Sequence, residues 1–263
     1  MKLNVAVLNP AGNITLLVTT PVDRSCYAEI AGKLLKMPAL RGEQVGFLAQ
    51  PRHGGMARLE MMGGEFCGNA LRCVGYYYAV KEGIHGGAVI SSEISGSNRP
   101  LPVEIDTDKS TAKAEMPLPL FVRNIMVGGR AVKAVVFEGI VHFIVDLPEP
   151  DEAFIKEAVN YALDSFGSDA AGVMFFDRDT MFIRPAVYVH DTETLIYENS
   201  CASGSAAVSI ACAFDRTDGE YCFDIHQPGG TIQVELSKQV GCFKKLTIGG
   251  KVSLDQEAVI HLQ

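Results

Sequence analysis

The chain has 263 residues, of which 48% are hydrophobic and 21% charged, a composition typical of a folded globular protein. Its net charge of −8 leaves no excess of Lys and Arg to bind phosphates, so we expect neither a nucleic-acid nor a membrane partner. The length exceeds the ~150 residues of a usual domain and predicts two domains or one large one.

Short runs rich in Val, Ile and Phe, often bounded by Gly, Pro, Asn or Asp, predict β-strands along the whole chain. In chain order these runs are 3–8, 14–18, 45–48, 88–90, 132–137, 141–145, 173–176, 186–189, 231–236 and 246–248. Apolar residues at helical spacing predict helices over 23–37 and 152–166, each lying across a sheet. The mixture predicts an α/β (α+β) fold.

Two further helices are predicted after Cys67 and Cys201, because small residues and then an apolar run follow each cysteine. The two cysteines lie 134 positions apart, about half the chain, as expected for a duplicated domain. A Pro-rich stretch at 115–119 indicates the boundary. We therefore predict a first domain of residues 1–118 with a C-terminal strand at 252–263, and a second domain of residues 119–251.

The cysteine count and the length of the apolar segments indicate the cellular compartment of the protein. Seven cysteines are spread from Cys26 to Cys242, and an odd, dispersed set does not resemble the disulfide framework of a small secreted domain. The N-terminal apolar run is too short for a signal peptide, and the best apolar stretch, 134–145, falls short of the ~20 residues that span a bilayer. We expect a cytoplasmic protein with reduced thiols.

A cysteine at the start of a helix has a specific chemical environment. The first N–H groups of a helix have no intrahelical partner, and the helix dipole favours an anion there and lowers the pKa of an adjacent thiol. We expect a substrate carboxylate to bind the N–H groups of the two residues after each cysteine. These residues are Gly68, Asn69, Ala202 and Ser203.

Two such thiols match the chemistry of a racemase. Inversion of a stereocentre removes a proton from one face and supplies a proton to the other, so two acid/base groups of the same kind serve both directions. The helix N–H groups would stabilise the charge that develops on the substrate. We find no Gly-x-Gly-x-x-Gly after a strand and no phosphate loop, so we expect no cofactor.

Other interpretations of the cysteine pair stay open on these residues alone. Each cysteine can simply pack in the core, since cysteine is among the residue types most often buried. A Cys67–Cys201 disulfide, a redox-sensing thiol protein or a zinc site are further alternatives, although the sequence has no Cys-x-x-Cys and no nearby His pair, and we expect no metal.

Five short motifs follow one another across nearly the whole chain. They are 9–13 (Asn-Pro-Ala-Gly-Asn), 43–46 (Glu-Gln-Val-Gly), 65–69 (Glu-Phe-Cys-Gly-Asn), 198–204 (Glu-Asn-Ser-Cys-Ala-Ser-Gly) and 229–230 (Gly-Gly). In this order they resemble the cofactor-independent, two-cysteine amino-acid racemases and epimerases typified by diaminopimelate epimerase. The resemblance implies two similar pseudo-symmetric domains, each a barrel-like, mostly antiparallel sheet around a central helix, an amino-acid substrate and a homodimer.

The resemblance also implies residue roles. Cys67 and Cys201 match the catalytic base and acid of that family. The residues that match its carboxylate-binding groups are Gly68, Asn69, Ala202 and Ser203, and those that match groups around the reacting amino acid are Asn13, Gln44 and Glu198.

The departures from diaminopimelate epimerases concern the distal end of the substrate. Gly172 stands where an Asn is expected, Asn199 replaces an Arg, and other Asn positions are also lost around 59–64 and 140–142. A distal ammonium and carboxylate would then be buried without partners, which costs several kcal/mol. The other motifs are similar to those of histidine racemases of metallophore biosynthesis, which implies that Glu43 faces the imidazole. Diaminopimelate epimerisation is the second candidate, and an exposed turn carboxylate is the alternative for Glu43.

Overall fold

The protein is described by a computed structural model that covers residues 1–168, 170–190 and 193–262. Two compact units are present: Met1–Glu115 with Gly249–Gln263, called unit 1, and Met116–Ile248, called unit 2. The described residues form a mixed α/β structure with mostly antiparallel strand pairs and four α-helices. None of these helices has the length and apolar character needed to cross a bilayer.

The strands are β1 (Lys2–Asn9), β2 (Thr15–Val18), β3 (Gln44–Ala49), β4 (Ala57–Met61), β5 (Gly87–Ile94), β6 (Leu101–Asp106), β7 (Thr111–Glu115), β8 (Phe121–Val127), β9 (Arg130–Phe137), β10 (Ile140–Val145), β11 (Ala170–Asp177), β12 (Phe182–Val189), β13 (Thr194–Tyr197), β14 (Gly219–Gln227), β15 (Gly230–Gln239), β16 (Cys242–Lys251) and β17 (Ser253–His261). The helices are α1 (Tyr27–Leu35), α2 (Gly68–Lys81), α3 (Glu152–Phe166) and α4 (Ala202–Ala213).

The two units repeat one order of strand pairing. In unit 1, β17, β1 and β2 pair antiparallel, β2 pairs parallel with β3, β3 antiparallel with β4, β4 parallel with β5, and β5, β6 and β7 antiparallel. In unit 2, β8, β9 and β10 pair antiparallel, β10 parallel with β11, β11 antiparallel with β12, β12 parallel with β14, and β14 antiparallel with β15. In each unit a helix bridges each parallel pair, as parallel strands require.

The core of unit 1 surrounds α2, which contacts β2 and β4–β7. Most of the α2 side chains are buried, which is typical of a helix covered on all sides rather than of a surface helix. Gly75 allows the close approach, because a Cβ atom at this position would lie 2.9 Å from the Cβ atom of Val103 on β6. A second cluster packs α1 against β1 and β3, with the Tyr27 ring stacked on Phe47 at 3.7 Å.

Unit 2 has the same two kinds of helix. Helix α4 contacts β9–β11, β14 and β15 and is buried along most of its length. Helix α3 lies on the other cluster, with β8, β10 and β11. Its start is fixed by Asp151, whose carboxylate accepts hydrogen bonds from the N–H groups of Ala153 and Phe154, and it ends at Gly167 with φ 57°.

The predicted elements lie where the sequence patterns placed them, with small differences. All ten predicted strand runs fall within strands, except that Ile14 precedes β2, and the expected C-terminal strand is β17. Helix α3 has the predicted bounds, whereas the predicted helix 23–37 begins as a 3₁₀ turn, Arg24–Cys26, before α1. Strands β4, β6, β7, β8 and β14 were not predicted, because polar residues interrupt their apolar patterns, and the short, exposed strand β13 was also not predicted.

Candidate active site

Cys67 immediately precedes the first residue of α2. Its backbone is extended, with φ −136° and ψ 114°, and its Sγ atom accepts a hydrogen bond from the N–H of Ala70 at 3.5 Å. The carbonyl of Cys67 accepts from Leu71 at 2.9 Å, so the side chain and the carbonyl of one residue cap the first turn. The half-buried thiol therefore lies at the positive end of the helix dipole.

Gln44 hydrogen-bonds to this thiol through its side chain. The Cys67 Sγ donates to Oε1 of Gln44 at 3.2 Å, and Nε2 of Gln44 donates to Oδ1 of Asn13 at 2.8 Å and to Oγ1 of Thr15 at 2.7 Å. The parallel pairing of β2 with β3 places Thr15 opposite Gln44, which brings these side chains together.

Asn13 joins the remaining predicted residues of unit 1. Its Nδ2 donates to the Glu43 carboxylate at 3.2 Å, and its Oδ1 accepts from Nδ2 of Asn69 at 3.2 Å. A turn with positive φ at Ala11 (62°) and Gly12 (100°) leads into Asn13, which is 8% exposed. The structure thus brings Asn13, Glu43 and Gln44 together with the Cys67 helix start; Thr15 was not anticipated.

Cys201 has the same position at the start of α4. Its backbone is extended, with φ −111° and ψ 109°, and its Sγ accepts from the N–H of Gly204 at 3.3 Å and lies 3.7 Å from Oγ of Ser203. Its carbonyl accepts from the N–H and Oγ of Ser205, at 3.0 and 2.7 Å. The local geometry of the Cys67 helix start therefore recurs in unit 2.

The side chain of Gln227 hydrogen-bonds to the backbone of Cys201. Its Oε1 accepts the Cys201 N–H at 2.7 Å, and its Nε2 donates to Ser205 Oγ at 3.0 Å. Neither Gln227 nor Ser205 was assigned a role from the sequence. The available signal was the turn motif at 226–230, His-Gln-Pro-Gly-Gly, whose Gly229 N–H donates to the carbonyl of Asn199 at 2.8 Å.

Burial and the neighbouring Glu198 together raise the pKa of Cys201. Burial raises the pKa of the Cys201 thiol well above its usual value, and the negative charge of Glu198 and a hydrogen bond from the thiol to that carboxylate raise it further. The N–H of Gly204 acts in the opposite direction but is outweighed. The helix start therefore lowers this pKa as expected, but burial and Glu198 outweigh its contribution, and Cys201 is held as a thiol beside a carboxylate.

The residues expected to bind a carboxylate are the first two of each helix. Gly68, Asn69 and Ala202 are buried and Ser203 is half-buried. They occupy the positions at which an α-helix leaves the backbone N–H without an intrahelical acceptor. Both helix starts therefore have the backbone arrangement that suits an anion.

A buried imidazole lies close to the start of α4 in unit 2. His142 on β10 is opposite Gly172 on β11, and a Cβ atom at Gly172 would lie 2.2 Å from the His142 Nδ1. Met174 contacts this pair and also the start of α4, because a Cβ atom at Gly204 would lie 2.3 Å from its Sδ. Burial lowers the pKa of His142 to about 3, so the ring is neutral at pH 7. An Asn side chain at 172 would occupy the space of this imidazole.

Core packing describes part of the environment of both cysteines, because Cys201 is buried and Cys67 packs, half-buried, against the core of unit 1. In the described ranges all seven cysteines are free thiols, and no group of three or more His, Cys, Asp or Glu side chains is placed to hold a metal ion.

The fold is similar to that of solved epimerase structures, and in this chain each unit has one cysteine at a buried helix start. A predicted epimerase from Pseudomonas aeruginosa aligns with a TM-score of 0.68 at 13% identity over 100% of both chains. A hydroxyproline epimerase from Agrobacterium vitis aligns with a TM-score of 0.68 at 13% identity, over 98% of this chain and 91% of that one. At this identity the likeness concerns the fold alone.

The chain belongs to the histidine racemase family. The family model described as "Histidine racemase CntK N-terminal domain" matches residues 2–261 of this chain. A histidine racemase of Staphylococcus aureus is 32% identical over 93% of this chain and 92% of its own, and one of Fusobacterium nucleatum is 33% identical over 97% and 95%. The prediction of an isomerase that acts on amino acids is confirmed.

Proposed function

We propose that this protein is a cofactor-independent histidine racemase that interconverts L-histidine and D-histidine through Cys67 and Cys201. The observation that carries the proposal is the repeated helix start, in which a cysteine caps a buried helix through its own Sγ and carbonyl. This arrangement is combined with membership of a family whose curated relatives are histidine racemases.

The proposed reaction uses one thiol from each unit. One cysteine, as thiolate, removes the α-proton, and the other, as thiol, donates its proton to the opposite face; the roles exchange in the reverse direction. The substrate carboxylate accepts hydrogen bonds from the helix-start N–H groups, which take up the charge that develops as the α-proton leaves. These N–H groups belong to Gly68, Asn69, Ala202 and Ser203.

The two thiols differ in how they lose a proton. Cys201 donates to the carboxylate of Glu198, which accepts the proton when Cys201 becomes the base. Cys67 donates to the amide oxygen of Gln44, which cannot take a proton at neutral pH. We therefore assign Glu198 as the proton acceptor of the second thiol and Gln44 as an orienting group for the first.

The substrate is assigned to histidine because of two features. Glu43 is held by Asn13, and a fixed carboxylate is a suitable acceptor for an imidazole N–H. The neutral His142 fills the space in front of Gly172, where diaminopimelate epimerases are expected to have an Asn for the distal amino-acid end. Diaminopimelate is the second candidate, and it would require a distal binding group that these positions do not provide.

The division into domains and the assembly are part of the proposal. We assign residues 1–118 with 252–263, and residues 119–251, as two pseudo-symmetric racemase domains, each a barrel-like sheet around α2 or α4. The repeated order of strand pairing supports a duplication. We assign a homodimer by analogy with the family, and the cytoplasm because the mechanism requires reduced thiols.

The test is deuterium incorporation at the α-carbon in D₂O, measured by NMR with L-histidine and with diaminopimelate. We expect exchange and D-histidine from histidine, and loss of racemisation in Cys67→Ser and in Cys201→Ser. Cys26→Ser and Cys212→Ser are the matched controls and should retain activity. Exchange with diaminopimelate alone would favour the second candidate; exchange with neither substrate, or full activity of Cys67→Ser, would refute the mechanism.

A further inference from the structure

Arg72 is a buried cation that the mechanism above leaves without a role. It lies on α2, five positions after Cys67, and its side chain is 0% exposed. Within the described part of the chain it has no carboxylate partner, and its Nε and Nη1 atoms have no hydrogen-bond acceptor. An unpaired buried charge costs several kcal/mol, so this position is unfavourable for stability alone.

One nitrogen of Arg72, Nη2, makes hydrogen bonds, and it fixes which atoms donate and which accept in a chain of amide side chains, Asn69, Asn13 and Gln44. Nη2 donates to Oδ1 of Asn69 at 2.8 Å and to the carbonyl of Pro10 at 3.4 Å. Because a guanidinium can only donate, Oδ1 of Asn69 must be the acceptor, and its Nδ2 then donates to Asn13. Asn13 in turn donates to the Glu43 carboxylate, so a cation and an anion terminate the chain.

The same direction determines which atom of Gln44 meets the thiol. Oδ1 of Asn13 accepts from both Asn69 and Gln44, so Gln44 uses its Nε2 there and turns its Oε1 toward Cys67. Reversal of either Asn amide would place two donors against each other. The orientation of Gln44, the partner of Cys67, is therefore fixed by a charge three hydrogen bonds away in this network.

The charge of Arg72 also acts directly on its surroundings. Burial lowers the pKa of Arg72 to about 10, against the opposing influence of the thiols of Cys73 and Cys67, so the guanidinium stays protonated at neutral pH. Burial raises the pKa of Cys73 to about 12, so this thiol supplies no negative charge. The titratable groups around the network are then Cys67 before α2, Cys73 on α2 and Glu43 before β3.

We propose that Arg72 is a positioning residue for Cys67, which orients the amide chain that holds the thiol and provides the positive charge that favours its thiolate. This assignment rests on the proposed function for its catalytic meaning, but its geometry lies entirely within unit 1. The asymmetry between the two thiols follows: Cys201 is activated by a carboxylate that accepts its proton, and Cys67 by a buried cation.

The test measures thiolate formation without substrate. Folded protein is treated with iodoacetamide at several pH values, and alkylation of Cys67 and Cys201 is followed separately by peptide mass spectrometry. We expect Arg72→Met to slow alkylation of Cys67 at pH 7 about tenfold, which corresponds to a rise of about one unit in the thiol pKa when the attraction between Arg72 and the thiolate is lost, and to leave the rate at Cys201 unchanged. Arg72→Lys keeps the charge and should restore most of the Cys67 rate.

Two further variants keep the test decisive. Arg72→Gln retains an N–H donor for Asn69 but no charge, and it replaces the Met variant if the latter does not fold. Lys81→Met removes an exposed cation from the same helix and should change neither rate. Equal Cys67 rates in the parent and the neutral variants, or equal slowing of Cys67 and Cys201, would overturn the proposal. Because no substrate is used, failure of histidine turnover leaves this result intact.

Discussion

Glu93 fastens the loop that connects β3, which carries Gln44, to β4. Its buried carboxylate accepts the backbone N–H groups of Arg52, His53 and Gly55, at 2.7 to 3.1 Å, and an ion pair from Arg58 at 2.8 Å. Burial acts to raise the pKa of Glu93, but the hydrogen bonds from Arg52, Gly55 and Arg58 outweigh it and lower the pKa from 4.5 to about 2.

The stabilisation can be worked out from this pKa. Each pKa unit corresponds to 1.36 kcal/mol, so ionised Glu93 stabilises the folded state by about 3 kcal/mol at pH 7. A carboxylate whose pKa is lowered in the folded state stabilises that state at pH values above its pKa in the unfolded chain. This stabilisation disappears as the pH falls from about 4.5 toward 2. We expect Glu93→Gln to lower the free energy of unfolding by about 3 kcal/mol at pH 7 and by about 1 kcal/mol at pH 3.

The assay is urea denaturation of the parent and of Glu93→Gln at pH 7, 5, 4 and 3. Glu104→Gln on β6 is the matched control, because this exposed carboxylate pairs with Lys113 at the surface, and we expect a change of about 0.5 kcal/mol or less at every pH. A loss below about 1 kcal/mol at pH 7, or an equal loss at pH 7 and pH 3, would refute the reasoning.

Two more predictions concern unit 2 and its helix start. Because the pKa of His142 is lowered in the folded state, the imidazole takes up a proton on unfolding, and the parent loses stability below about pH 6.5. His142→Phe should remove this effect. Between pH 7 and 5 its free energy of unfolding, measured by urea denaturation, should fall by about 2 kcal/mol less than that of the parent. Gly204→Ala should place a methyl group 2.3 Å from Met174 and 3.0 Å from the Cys201 Sγ, and we expect racemisation to fall more than about tenfold with about 1–3 kcal/mol of destabilisation. Gly32→Ala, with no atom within 4 Å, is its control and should keep full activity; full activity of Gly204→Ala would contradict the proposed site.

Local patterns were sufficient for the elements with regular sequence periods. Helix α3 has the predicted bounds because its apolar spacing, its Asp151 cap and the following Gly167 all lie within the same stretch of sequence. Strand β4 was missed because Arg58 and Glu60, two of its five residues, are charged and yet buried. Their burial depends on each other and on Glu93, 35 positions from Arg58, and such a pairing is not visible in a single segment.

The sequence by itself determined which residues start the two central helices, because a cysteine followed by small residues and an apolar run is a local and repeated pattern. It also determined the family through motifs spread over nearly the whole chain. Only the tertiary structure decided the environment of each thiol. The pKa of Cys201 is raised because burial and Glu198 outweigh the helix start, and the direction of the amide chain at Cys67 depends on Arg72 and Asn13, which the fold brings together from 59 positions apart. Burial and long-range charge act through space, whereas helix capping acts along the chain.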